Sequence, residues 1–232
     1  MHPRKLDRKV RRVVPEPILG DRLENGRDIP LLTWRIGRPL LAISSAPLGG
    51  GIGLRQWIIN ATVPMWYDRD DPDVHLAELA AELGFEGPGI GLLTGVDVAE
   101  VVTAVDEGVR VWATVGLGDP VWAAAIRADS PRVGTVNIVV SVPARLSEAA
   151  LVNAVATATE AKAQALWDLG LAATGTPTDA VCVVCPPDGP VAAYGGPRSE
   201  WGARIARSVH SAVRSGGGTG RGTGMPWSDR NL

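Results

Sequence analysis

The sequence predicts an α/β fold: a single domain with a mixed central β-sheet and packed helices. Three observations carry this. Short apolar runs such as QWIINATV, VRVWATVG and GTVNIVVSV read as strands. They alternate with segments in which apolar residues recur at helical spacing. No break in composition divides the 232 residues, so one large domain is favoured over two small ones. Hydrophobic residues at 45% and charged residues at 21% suit a chain with a substantial buried core.

Residues 1–28 are expected to form a basic, largely irregular arm. Arg4, Lys5, Arg8, Lys9, Arg11 and Arg12 crowd its start, and Pro15, Pro17, Gly20 and Gly26 interrupt any periodicity. With no aromatic interleaving and no recognition helix behind it, the cluster reads as a solvated leader. The formal charge of -2 gives no electrostatic reason to expect nucleic acid as a partner. No apolar run approaches the roughly 18 residues that a membrane span needs, so no membrane is expected and a cytoplasmic location is the default.

The domain proper is placed at 29–214. LLTW and PLLAISS read as two strands or a hairpin about Gly37, followed by Gly49, Gly50, Gly51 and Gly53, which allow a sharp turn or a close backbone approach. No nucleotide-phosphate motif accompanies them. In QWIINATV, Gln56, Ile58, Asn60 and Thr62 share one face and Trp57, Ile59, Ala61 and Val63 the other. Asp71 then serves as an N-cap before Pro72, and Leu76, Leu79 and Leu83 form a helical stripe closed by Gly84. His75 lies beside that stripe, where a surface residue or a satisfied packing partner is expected. GIGLLTG and VRVWATVG are further strands, with a short helix expected between Asp97 and Gly108.

The stretch from Gly134 to Asp179 is the richest. A strand over VGTVNIVVSV carries Asn137, whose amide in a buried strand is either satisfied within the fold or presented to a ligand. A helix from an N-cap at Ser147 to Gly170 follows, with Leu151, Val155, Ala158, Leu166 and Leu169 along one stripe. Lys162 falls in the middle of that stripe, either snorkelling past the sheet edge or aimed at a polar pocket. Glu160 projects from nearly the opposite side. Thr174, Thr176, Thr178 and Asp179 then crowd the turn before the strand AVCVV. Cys182 and Cys185, three residues apart in that strand, point to opposite faces and read as core rather than as a redox pair. A short VAAY strand precedes a helix at about 198–214, striped by Trp201, Ile205, Val209 and Ala212, with His210 outside the stripe. Residues 215–232 read as a flexible Gly-rich tail.

With 3 histidines and core-like cysteines, cysteine-histidine catalysis and a histidine metal site have no basis, and no metal ligand is assigned. Carboxylate-assisted water attack, a hydroxyl nucleophile activated by lysine, or an oxygen-ligated cation remain open.

GTVNIVV, ATEAKAQAL and ATGTPTDAV, in that order, resemble the signature of the adenosylcobinamide amidohydrolase family. ISSAPLGGGIG, WIINATVP, GIGLLTGVD and ATVGLGDP extend the resemblance from about Leu31 to Arg214. It implies hydrolysis of the amide that joins the aminopropanol arm of a corrinoid to its cobyric acid part, in cobamide salvage. The corrinoid is then substrate and not cofactor; no cofactor is assigned, and a homo-oligomer is left open. On that reading Glu160 or Asp179 is the base, Lys162 the charge stabiliser or proton donor, and Asn137 with Asn60 amide donors to substrate. Ser45, Thr94, Thr135, Thr176 and Thr178 are candidate substrate-binding residues. Some of the 8 tryptophans and the glycine loop are candidates to line the corrin groove. Two departures stand out: Pro177 replaces a glycine of the family pattern TGTGTD, and Gly196-Pro197-Arg198 stands where a His-Thr pair is usual. The competing reading is a corrinoid-binding protein or a divergent hydrolase of another amide.

Overall fold

The computed structural model describes residues 13–126, 134–218 and 226–230. The basic cluster at 4–12 and part of the Gly-rich tail lie outside the described residues.

Eight strands form one mixed sheet: β1 (Ile18–Glu24), β2 (Arg27–Ser44), β3 (Gly51–Thr62), β4 (Ile90–Thr94), β5 (Val102–Asp106), β6 (Val109–Gly116), β7 (Thr135–Ser141) and β9 (Ala180–Cys185). Their order is β4-β3-β2-β9-β7-β6-β5, with β1 paired to β2. The pairs β3–β4 and β7–β9 are parallel and the others antiparallel, so the expected mixed sheet is found. The short strands β8 (Arg145–Leu146) and β10 (Val191–Ala192) form a separate parallel pair. Four helices complete the described fold: α1 (Pro72–Glu82), α2 (Glu148–Asp168), α3 (Glu200–Gly218) and the short α4 (Trp227–Arg230). None of the helices is long and apolar enough to cross a membrane.

The sheet folds back on itself. Instead of a hairpin about Gly37, β2 runs through 18 residues with a register shift between Arg35 and Leu40, the kind of irregularity that bends a strand. The two halves then face each other: Trp34 of β2 meets Trp112 of β6 edge to face at 5.8 Å. Between the layers lies a core of Leu32, Trp34, Ile58, Ile90, Leu92, Trp112, Val139 and Cys182. Outside one layer, α1 packs Leu76, Leu79 and Ala80 on Trp57, Ile59 and Ala61. Outside the other, α2 and α3 cover Val111, Val136, Ile138, Val181, Val183 and Cys185. Cys182 and Cys185 therefore do fall in opposite cores, and burial pushes the Cys182 thiol up to about 12.

Several local readings need correction. The arm is not irregular throughout, because β1 pairs with β2 from Ile18↔Thr33 to Glu24↔Arg27. Asn25 and Gly26 make the two-residue turn at φ 53° and 76°, the positive φ values that an Asn-Gly hairpin supplies. Between Asp97 and Gly108 there is only a 3-10 turn (Val98–Glu100), capped by the Asp97 carboxylate, and then β5. Asp71 makes no side-chain cap on α1, since its carboxylate is held by Arg69 at 2.8 and 2.9 Å. That pairing keeps the Asp71 carboxyl below the usual carboxylate range. The described end of the tail is helical: the Trp227 N–H donates to Gly95 O at 2.9 Å and the Met65 N–H to Ser228 Oγ at 3.2 Å.

Candidate active site

Most of the polar residues singled out in the sequence gather at one end of the folded sheet, but in two groups on opposite faces of the β7–β9 pair. Odd-numbered residues of β7 face the space between the layers and even-numbered ones face α2.

Between the layers, Asn137 is the centre. Its Nδ2 donates to Asn60 Oδ1 at 3.0 Å and to the Leu93 carbonyl at 2.8 Å. Asn60 Nδ2 in turn donates to Thr114 Oγ1 at 3.1 Å. Both N–H groups of Asn137 are thus engaged, while its buried Oδ1 has no hydrogen-bond partner. Such an acceptor is costly unless a donor arrives. The acceptor side of Asn137 is thus unsatisfied within the fold, and Asn60 stands behind it as an orienting residue.

Asn137 lines a cavity of about 260 Å³ whose other polar side chains are Thr94, Thr135, Thr178 and Tyr67. Val63, Met65, Leu92, Leu93 and Ala180 supply much of the apolar wall. Thr178 Oγ1 donates to the Gly134 carbonyl at 3.0 Å, so its contact with Thr135 Oγ1 at 2.5 Å has Thr135 as donor. Thr94 Oγ1 accepts from the Val96 N–H at 3.3 Å. Tyr67 and Met65, in the loop after β3, were not selected from the sequence. The only signal for them was an aromatic and sulfur-bearing run, PMWY, directly after a decorated strand.

On the α2 face, Lys162 Nζ donates to Asp179 Oδ2, with both side chains at most one-tenth exposed. The same carboxylate accepts the Val136 N–H at 2.8 Å, the Thr176 N–H at 3.0 Å and the Thr176 hydroxyl. The Ser147 cap, which accepts from the Ala150 N–H at 3.1 Å, and the turn at Gly170, φ 78°, set the phase of α2 so that Lys162 points inward. Gly175 closes over the pair: a Cβ there would lie 2.5 Å from both Lys162 Nζ and Asp179 Oδ2. Pro177 stands exposed in the same turn.

Glu160 is exposed on the outer side of α2, as its phase of two residues from Lys162 requires, and the structure brings it to neither group. Ser45 is also outside the cavity. Its N–H and Oγ continue the pairing of β2 with Val181, each at 3.0 Å. The glycine loop and the tryptophans are absent from the cavity wall. Gly49, at φ 72°, is needed because a Cβ would lie 1.9 Å from the Gly89 carbonyl oxygen. Among the described residues, no three His, Cys, Asp or Glu side chains assemble into a group that would hold a metal ion.

A sequence model of the family described as adenosylcobinamide amidohydrolase matches residues 16–223. The chain belongs to that family. A protein named adenosylcobinamide amidohydrolase from Methanosarcina mazei is 34% identical to it over 181 residues, covering 74% of this chain and 88% of that protein. One of the same name from Halobacterium salinarum is 37% identical over 166 residues, covering 67% and 71% respectively. Amidohydrolase activity on adenosylcobinamide follows from the family. The matched range includes β1, so the family's domain begins well before residue 29.

Proposed function

We propose that this chain hydrolyses the amide joining the aminopropanol arm of adenosylcobinamide, or of a related corrinoid, to its cobyric acid part, and so serves cobamide salvage. The observation that carries the reading is the apolar cavity of about 260 Å³ lined by Asn137, whose buried Oδ1 has no partner, and by the side chains of Thr94, Thr135 and Thr178. A secondary amide has one N–H, and in this reading a small shift of the wall uncovers Asn137 Oδ1 to accept it. The remaining contacts are apolar or hydroxylic, which suits a short aliphatic arm.

The cavity holds the arm and not the ring. About 260 Å³ lies below the usual range for a drug-sized ligand and far below what a corrin needs. The ring therefore stays outside the mouth, and only the scissile amide enters. Asn137 orients the amide, and the hydroxyls of Thr94, Thr135 and Thr178 contact the arm. The Lys162–Asp179 pair and Thr176 act from the far face by holding the start of β9, which carries Thr178 and Ala180.

Incubation of the full chain with adenosylcobinamide, followed by chromatography for the cobyric acid product and free aminopropanol, tests the reading. Stoichiometric release of both supports it. Tight corrinoid binding without release would make the chain a binding protein, and neither binding nor release would direct attention to a different amide.

A further inference from the structure

Amide hydrolysis requires protons to be moved, yet among the described residues lining the cavity only Tyr67 has a titratable side chain. Lys162 and Asp179 do not serve here: they lie on the other face of the sheet and are bonded to each other and to the chain.

Tyr67 is backed by a second titratable group. Its hydroxyl lies 3.1 Å from His75 Nδ1, and the two rings stack with centroids 5.4 Å apart and planes 23° from parallel. His75, on α1, is only 4% exposed, the satisfied packing partner rather than the surface residue of the two places its sequence position allows. Its Nε2 faces Glu24 Oε2 of β1 at 3.8 Å. Glu24 is held by Arg22 Nε at 2.9 Å, and Arg22 Nη2 is anchored on the Thr62 carbonyl at 2.8 Å. With Nε2–H toward the carboxylate, Nδ1 is the acceptor and the Tyr67 hydroxyl the donor. The charged groups about His75 are Glu24 and Arg22 from β1, Arg69 and Asp71 from the loop, and Glu78 from its own helix.

We infer that Tyr67 and His75 form the proton relay of this cavity, with Tyr67 the catalytic residue that meets the reacting groups and His75 the positioning residue that takes the proton behind it. The inference rests on the amide hydrolysis proposed above. A water oxygen bonds to the amide carbonyl carbon. Its proton passes to the Tyr67 oxygen as the Tyr67 hydroxyl proton passes to His75 Nδ1. The carbon–nitrogen bond then breaks, and the proton returns through Tyr67 to the departing nitrogen, giving carboxylic acid and amine. Glu24 faces the imidazolium that exists between these steps. Burial favours the neutral imidazole and lowers the His75 pKa from its ordinary 6.5, so the acceptor is available at neutral pH. Burial likewise raises the Tyr67 pKa, keeping its hydroxyl protonated.

The test uses the full chain with adenosylcobinamide and measures kcat, substrate Kd and the pH profile of kcat/KM. Tyr67→Phe keeps the ring stack and removes the relay. The expected result is a fall in kcat of about 100-fold or more, the scale of general acid–base catalysis, with Kd within about threefold. His75→Asn keeps an acceptor for the tyrosine but cannot take its proton. It should lower kcat and abolish the fall of kcat/KM expected of wild type as pH drops through the His75 pKa, which burial sets below 6.5. If His75→Asn does not fold, Tyr67→Phe decides alone, since its residue sits half-buried in a loop. A Tyr67→Phe chain with wild-type kcat overturns the relay while leaving the hydrolase reading intact. A wild-type chain that releases no product overturns that reading and the relay with it.

Discussion

Lys162 Nζ donates to the same Asp179 carboxylate that gathers the Val136 N–H and both donors of Thr176. Asp179 is thus a hub that ties α2, β7 and the start of β9 together on the face away from the cavity.

The hub predicts an order of damage. Asp179→Ala leaves an ammonium buried without its partner and strands three backbone and hydroxyl donors, a loss of about 3–5 kcal/mol. Lys162→Met leaves a carboxylate that still accepts those three bonds, so about 1–3 kcal/mol is expected. Denaturant unfolding of both variants checks this. A larger loss from Lys162→Met would show that the pair, and not the carboxylate's wider bonding, organises the turn.

Asn137 and Asn60 are predicted to differ in kind. Asn137→Ala removes the acceptor proposed to meet the substrate amide and should lower kcat/KM about 100-fold through lost positioning. Asn60→Ala leaves that oxygen in place but frees its side chain, so about tenfold is expected, on the same ground. Steady-state kinetics on adenosylcobinamide separate them, and equal losses would mean that the asparagines act only as one structural unit.

Much of this fold was legible because it depends on local period and local turn chemistry. Ser147 and Gly170 bound α2, its stripe turned Lys162 inward, and alternation sent Cys182 and Cys185 to separate cores. The Asn25-Gly26 hairpin was also there to be read, but the prolines and basic residues before it drew the arm toward irregularity. The folding over of β2 was not legible, since nothing within residues 35–40 announces that Trp34 will meet Trp112. The cavity escaped for the same reason. Period reports which residues share a face of one element, whereas Asn137, Thr94 and Tyr67 come together only when distant segments pack. Glu160 was favoured by motif against its own helical phase, and the phase was the better guide.

Acid should destabilise the protein through His75. Its folded pKa is lowered by burial while the unfolded chain keeps the ordinary 6.5, so below that pH the unfolded state binds the proton more readily. The contribution is complete above about pH 6.5 and is lost as pH falls from there through the lowered folded value. Thermal melts from pH 7.5 to 5 should show a steeper fall for wild type than for His75→Gln, whose side chain does not titrate. Parallel curves would place the acid sensitivity elsewhere.

The C-terminal segment is predicted to matter to the site even though its described residues contribute no cavity side chain. Trp227 and Ser228 are buried, the Ser228 oxygen accepts the Met65 N–H, and the Trp227 N–H donates to Gly95. Met65 and Gly95 both line the cavity, and Met65 lies two residues before Tyr67. Removal of residues 226–232 therefore frees the loop that carries Tyr67 while leaving the sheet pairings and α1 to α3 untouched. The expected outcome is a far-ultraviolet circular dichroism spectrum close to wild type, with kcat/KM lower by about tenfold to 100-fold, the scale of a misplaced reacting group. Faster hydrogen exchange should be confined to residues 63–67 and 94–96. Unchanged kcat/KM in the shortened chain would show that the Tyr67 loop is held in place without α4.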